Sequence, residues 1–126
     1  MQPGFYKSQP IAADIAGFLI AAFVGSGRVG PAANAAAPFA GVTDSVGGKA
    51  SHGLVDVQLS QEADVRYGGA VVAGDPLMAA ADGTGRAVKL VKPGAGVTVT
   101  CIGFAQVDGA ADDIGKVFLA PHVLAG

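Results

Sequence analysis

A chain of 126 residues with 51% hydrophobic and 14% charged side chains has the size of one domain with a modest core. Eight Lys and Arg against ten Asp and Glu give a net charge of −2, and no short stretch concentrates the basic residues, which excludes the electrostatic footprint of direct nucleic-acid binding. A single cysteine excludes an internal disulfide, while a mean hydropathy of +0.48 with so few charges predicts a subunit that buries surface against neighbours.

In chain order, residues 1–10 come first: Pro3, Gly4 and Pro10 bracket the aromatic pair Phe5 and Tyr6, so the stretch cannot join a helix. It reads as an extended N-terminal arm before a single β domain over residues 11–126. Exposed aromatics on an extended arm suit strand addition or groove binding, which makes Phe5, Tyr6 and Lys7 the candidate contact residues. The apolar run over residues 15–24 falls short of the roughly 20 residues needed to cross a bilayer. Lys7 before it and Ala33-Asn34-Ala35 after it imitate a secretory leader; the expectation is a buried strand or strand pair in a protein made in the cytoplasm, without a membrane partner.

Two glycine-rich stretches imitate nucleotide sites. Gly25-Ser26-Gly27-Arg28-Val29-Gly30 has the spacing of a dinucleotide fingerprint, and Asp44 lies where a ribose-binding acid is expected. Pro31 and Pro38 leave no room for the crossover helix such a fold needs, so a glycine-rich hairpin turn between two strands is predicted. Gly47-Gly48-Lys49-Ala50-Ser51 fails as a phosphate loop, because Thr43 stands where glycine belongs and Ala50 where a magnesium-holding hydroxyl belongs. Lys49 also occupies a turn of the kind that carries the modified lysine of lipoyl and biotinyl domains, but the flanking acidic or Met residues are absent. A small all-β carrier or nucleotide-binding domain using Lys49 or the 25–30 loop is the alternative to the reading below.

The strongest local signal lies in residues 55–67. Val55, Val57, Leu59, Ala63, Val65 and Tyr67 alternate with Asp56, Gln58, Ser60, Glu62, Asp64 and Arg66, which is the period of a half-buried strand. The run is too long for an ordinary strand, so a break is expected near Ser60 and Gln61. Beyond it, Gly68-Gly69, Gly74-Asp75-Pro76, Asp82-Gly83-Thr84-Gly85, Pro93-Gly94-Ala95-Gly96, Asp108-Gly109 and Asp113-Ile114-Gly115 punctuate short strands over 77–79, 86–91, 97–107 and 116–119. This rhythm predicts an all-β antiparallel sandwich or barrel, jelly-roll or tulip-like.

Chemistry is sparse. Cys101 sits among apolar residues on both faces of its strand, with no His or basic neighbour to activate it, and reads as a buried small hydrophobe. His52 and His122 have no partners at ligand spacing, and no Gly-x-Ser-x-Gly elbow accompanies the serines. Asp112-Asp113 reads as a solvated turn. No catalytic residue, metal site or cofactor is expected, and the chain is not expected to be an enzyme.

One resemblance covers the C-terminal two thirds well and the first third loosely. Val55-Asp56-Val57-Gln58-Leu59, Val65-Arg66-Tyr67-Gly68-Gly69-Ala70-Val71, Gly74-Asp75-Pro76-Leu77, Asp82-Gly83 with Arg86-Ala87-Val88, Ile102-Gly103-Phe104-Ala105, and Gly109-Ala110-Ala111-Asp112-Asp113-Ile114-Gly115 leading to Leu119-Ala120-Pro121 occur in that order. Together they resemble the capsid cement, or head-decoration, proteins of tailed bacteriophages. The chain departs from that pattern at the inserted Thr84-Gly85 and at Asp112, where glycine is usual. The resemblance implies a small all-β protein on the outer surface of an icosahedral virion capsid, stabilising the lattice of the phage major capsid protein and made in the bacterial host cytoplasm. It further implies self-association, a homotrimer before a homodimer.

Overall fold

The computed structural model describes residues 6–12, 14–25, 27–44, 47–48, 53–59 and 61–125. The alternating run over 55–67 organises it. Val55, Val57, Ala63, Val65 and Tyr67 are buried while Asp56 and Asp64 face solvent, as the period of 2 requires. The expected break falls between strand β5 (Leu54–Gln58) and strand β6 (Gln61–Arg66), where Gln61 adopts a left-handed φ of 63°. The buried Gln58 side chain spans the break, its Nε2 donating to the Glu62 carbonyl at 2.6 Å.

The break carries the chain from one sheet to another. The first five strands, β1 (Tyr6–Pro10), β2 (Ile20–Gly25), β3 (Arg28–Pro31), β4 (Phe39–Thr43) and β5, form an antiparallel sheet in the order β1-β5-β4-β2-β3. The last five, β6, β7 (Pro76–Ala79), β8 (Ala87–Lys89), β9 (Thr98–Ala105) and β10 (Ile114–Ala125), form a second in the order β6-β10-β9-β7-β8. The protein is an all-β sandwich, and no helix occurs among the described residues. Residues 6–10 of the expected arm are paired as the edge strand of the first sheet, from Tyr6 opposite Gln58 to Pro10 opposite Leu54.

Alternation in β2 feeds two cores. Ile20 and Ala22 pack with Val42, Val65, Tyr67, Ile102 and Val117 between the sheets, whereas Ala21 joins Ile11, Ile15, Leu19, Val29, Val55 and Val57 in a second cluster. Each sheet also brings its edge strands together. A parallel bridge links Ile11 to Val29 in the first, and another links Tyr67 to Ala87 in the second.

Two expectations need correction. The apolar run over 15–24 is a strand only from Ile20, because Ile15 is held by a lone bridge to Gly48 and residues 16–19 form a loop with Phe18 at φ 63°. Phe23 and Val24 at its far end are exposed, since β2 there runs out of the core into its hairpin. The final strand is longer than residues 116–119. It continues through Pro121 to Ala125 with a register shift between Leu119 and His122. Gly103 permits that shift, because its φ of 153° and the Phe118 carbonyl pressed against it leave no room for a Cβ.

Thr43 ties the 16–19 loop to the first sheet, its buried Oγ1 donating to the Ala16 carbonyl at 2.8 Å and accepting from Leu19 N at 3.0 Å. Thr43→Val keeps the shape and strands a buried N–H, so it is expected to cost about 2 kcal/mol in urea unfolding. Tyr67 is buried against Gly109 and Gly115, neither of which could carry a Cβ beside the ring, and its hydroxyl donates to the Val107 carbonyl at 3.0 Å. Burial, with a smaller contribution from Asp108, holds its phenol above the ordinary value. The folded state thus favours the neutral form. That stabilisation is fully present below the unfolded phenol's pKa of about 10 and is lost as pH rises through the higher folded value. Tyr67→Phe is expected to cost about 1 kcal/mol at neutral pH and to flatten the alkaline fall of stability, both read from denaturation midpoints between pH 7 and 12.

Candidate binding surface

Of the sequence-derived contact residues, Phe5 lies outside the described residues, while Tyr6 and Lys7 open β1 at the edge of the first sheet. Lys7 is exposed opposite Val57. The adjacent Ser8 hydroxyl donates to Asp56 Oδ1 at 2.6 Å, which fastens the strand from its outer side.

The glycine-rich stretch over 25–30 is a hairpin turn, as expected. β2 returns antiparallel as β3, with Gly25 at φ 126° and Gly27 at φ 73°; Ser26 lies outside the described residues. An antiparallel return is incompatible with the βαβ unit of a dinucleotide site. Lys49 and His52 also lie outside the described residues.

Cys101 is fully buried, as predicted from its apolar setting, with Sγ 3.5 Å from the Gly103 carbonyl it can donate to. Among the described residues no group of three His, Cys, Asp or Glu could hold a metal ion. The acid pair is a turn. Asp113 Oδ2 accepts from Ala110 N at 2.9 Å, and Asp112 adopts φ 73°. Glycine adopts that left-handed conformation without strain. Here two arginines hold it instead: Arg66 Nη1 donates to the Asp112 carbonyl at 2.9 Å, and Arg86 Nη1 lies 3.1 Å from Oδ1.

The inserted Thr84-Gly85 is equally built in. Asp82 Oδ1 accepts from the Thr84 hydroxyl at 2.6 Å and from Thr84 N at 3.1 Å, and these bonds hold the carboxyl below its ordinary pKa. Gly85, at φ 78°, presses on the first sheet and accepts from Ile20 N at 2.7 Å.

A surface missed by sequence reasoning is the outer face of the second sheet. Phe118 on β10 stands opposite Phe104 on β9, and they keep 48% and 38% of their surface exposed. The His122 ring stacks on Phe104 with centroids 6.3 Å apart, and its Nδ1 lies 2.7 Å from the Ala120 carbonyl. Along the same face of β10, Lys116, paired with Asp64 at 3.3 Å, separates Phe118 from the exposed Ile114. The signal was present in the two-faced apolar character of residues 97–104, which reads as burial throughout, whereas Phe104 stands exposed beside the buried Ile102 and Ala105.

No protein-family model matches the chain, and no curated protein matches it in sequence. In three dimensions it superposes on the head fiber gp8.5 N base of bacteriophage phi29 with a TM-score of 0.67 and 16% identity, over 92% of this chain and 93% of that one. The two chains share a fold. At this identity the likeness establishes architecture, and it is consistent with the resemblance to phage head-decoration proteins seen in the strands and turns.

The arginine pair makes position 112 testable. Asp112→Gly removes the left-handed strain and also the half-exposed ion pair, two effects of about 1 kcal/mol or less and of opposite sign. Stability by urea denaturation is therefore expected to change by less than about 1 kcal/mol, whereas Asp112→Val, β-branched at the same φ, is expected to lose about 2.

Proposed function

We propose that the protein is a structural component of a tailed-phage virion, which binds the outer surface of the icosahedral capsid and stabilises the lattice of major capsid protein without catalysing a reaction. The observation that carries this reading is the near full-length fold likeness to a phage head-fibre base. The sequence resemblance to head-decoration proteins and the exposed Phe104–Phe118 face support it.

The physical mechanism needs no bond to be made or broken. A protein that binds the assembled lattice better than free subunits shifts the equilibrium towards the lattice, by an amount that grows with the logarithm of its concentration over its dissociation constant. Copies that associate with one another and with several shell subunits act multivalently, so modest single contacts give durable attachment. An exposed aromatic pair beside an ion pair suits such a contact, because aromatic side chains bring large area at little entropic cost.

Co-sedimentation with purified expanded shells of the cognate capsid protein tests the reading. The full chain is expected to pellet with shells and raise their melting temperature. Phe104→Ser with Phe118→Ser is expected to weaken binding at least tenfold while leaving the fold's circular dichroism unchanged, since both side chains are on the outer face. Deleting residues 1–5 with Lys7→Glu tests the N-terminal contribution without removing β1. Full-length protein that stays in the supernatant at every shell concentration overturns the proposal.

A further inference from the structure

We infer that the projecting β9–β10 ribbon is a self-association edge, on which residues 122–124 pair antiparallel with the same residues of a second copy, Val123 standing opposite its own counterpart across a two-fold axis. The inference deepens the self-association proposed above and rests on it.

The geometry is that of an overhang. β10 runs from Ile114 to Ala125, but β6 covers it only from Ile114 to Leu119, so the following residues are paired with β9 alone. Among the described residues no strand lies along their other side. Elsewhere the fold manages its edges. β1 meets β3 through the Ile11–Val29 bridge, β6 meets β8 through Tyr67–Ala87, and β8 is three residues long and carries Lys89. Short strands, contacts across edges and edge lysines are the devices that keep a sheet from pairing with another chain.

The ribbon lacks such charges. Residues 93–107 and 117–126 contain no Asp, Glu, Lys or Arg. Val123 at 64% and Val97 at 49% exposure leave its surface apolar. An unpaired strand edge offers N–H and C=O groups that another extended backbone satisfies. A charged strand would set an unpaired charge against Val123 and Leu124, whereas the same ribbon from a second copy meets them with apolar side chains and no like-charge repulsion. Pro121 has no N–H to offer and sits at the register shift, which limits the pairing to His122 and beyond. Three residues bury too little for a stable contact by themselves, given the roughly 1,000 Å² that one needs. The neighbouring Phe104–His122 stack lies beside this edge and enlarges the apolar area at the contact.

Pairing about a two-fold axis closes after two copies, so this edge predicts a dimer where the family resemblance implies a trimer. Sedimentation velocity of the isolated full chain at 1–100 µM is expected to give about twice the 12.3 kDa mass of one chain. Val123→Lys places like charges across the axis and is expected to weaken association at least tenfold with unchanged circular dichroism and melting of the monomer. Val123→Cys is expected to form a disulfide-linked dimer under diamide that dithiothreitol reverses, while Cys101 stays buried and unreactive. A wild-type chain that is monomeric at 100 µM overturns both self-association and this edge. A wild-type oligomer that Val123→Lys leaves intact and Val123→Cys does not cross-link overturns the edge alone.

Discussion

The constraint on which the rest depends is that one alternating run serves two sheets. Val55 and Val57 enter one core before the break, and Ala63, Val65 and Tyr67 enter the other after it. Burial of a Val-sized side chain is worth roughly 1.5–3 kcal/mol, so these five contribute on the order of 10 kcal/mol before entropy, comparable to the net stability of a whole domain. The Gln58–Glu62 hydrogen bond across the break adds about 1 kcal/mol. Apolar burial therefore sets the crossing, and the polar bond fixes its register. Left-handed φ at Gln61 is the local cost of turning within two residues while keeping the apolar side chains inward.

That crossing decides how the remaining elements meet. The 16–19 loop fills the junction, with Arg66 N donating to the Phe18 carbonyl at 2.8 Å and Thr43 holding the loop from the other sheet. The 82–86 turn reaches the same junction through Gly85. Backbone groups at the seam are satisfied by partners distant in sequence, which makes the seam the product of the whole fold. With the seam closed, what is left for partners is outside it: the outer face of the second sheet, the start of β1 and the ribbon end of β10.

The family resemblance rested on turn chemistry, and the turns explain why such weak motifs carry information. Gly103 admits the Phe118 carbonyl, Gly109 and Gly115 admit the Tyr67 ring, and position 112 demands a left-handed residue. Each is a steric requirement set by a neighbour far along the chain. Where this sequence departs, as at Asp112, side chains supply the compensation: Arg66 and Arg86 reach it from elements that precede it by 46 and 26 positions.

The sequence by itself determined the β class, the break near Ser60 and Gln61, the hairpin at Gly25–Gly30 and the burial of Cys101. These follow from period, from glycine and proline geometry and from the absence of charged neighbours, all of which are local in the chain. It could not place Ile15 in a loop, carry β10 past Pro121 or separate the outward Phe104 and Phe118 from the inward Ile102 and Val117. Those distinctions depend on which strand lies alongside and where a register slips by one residue. A one-residue slip exchanges the two faces of a strand, so only the paired sheet decides which apolar side chains make the core and which remain as a surface for partners.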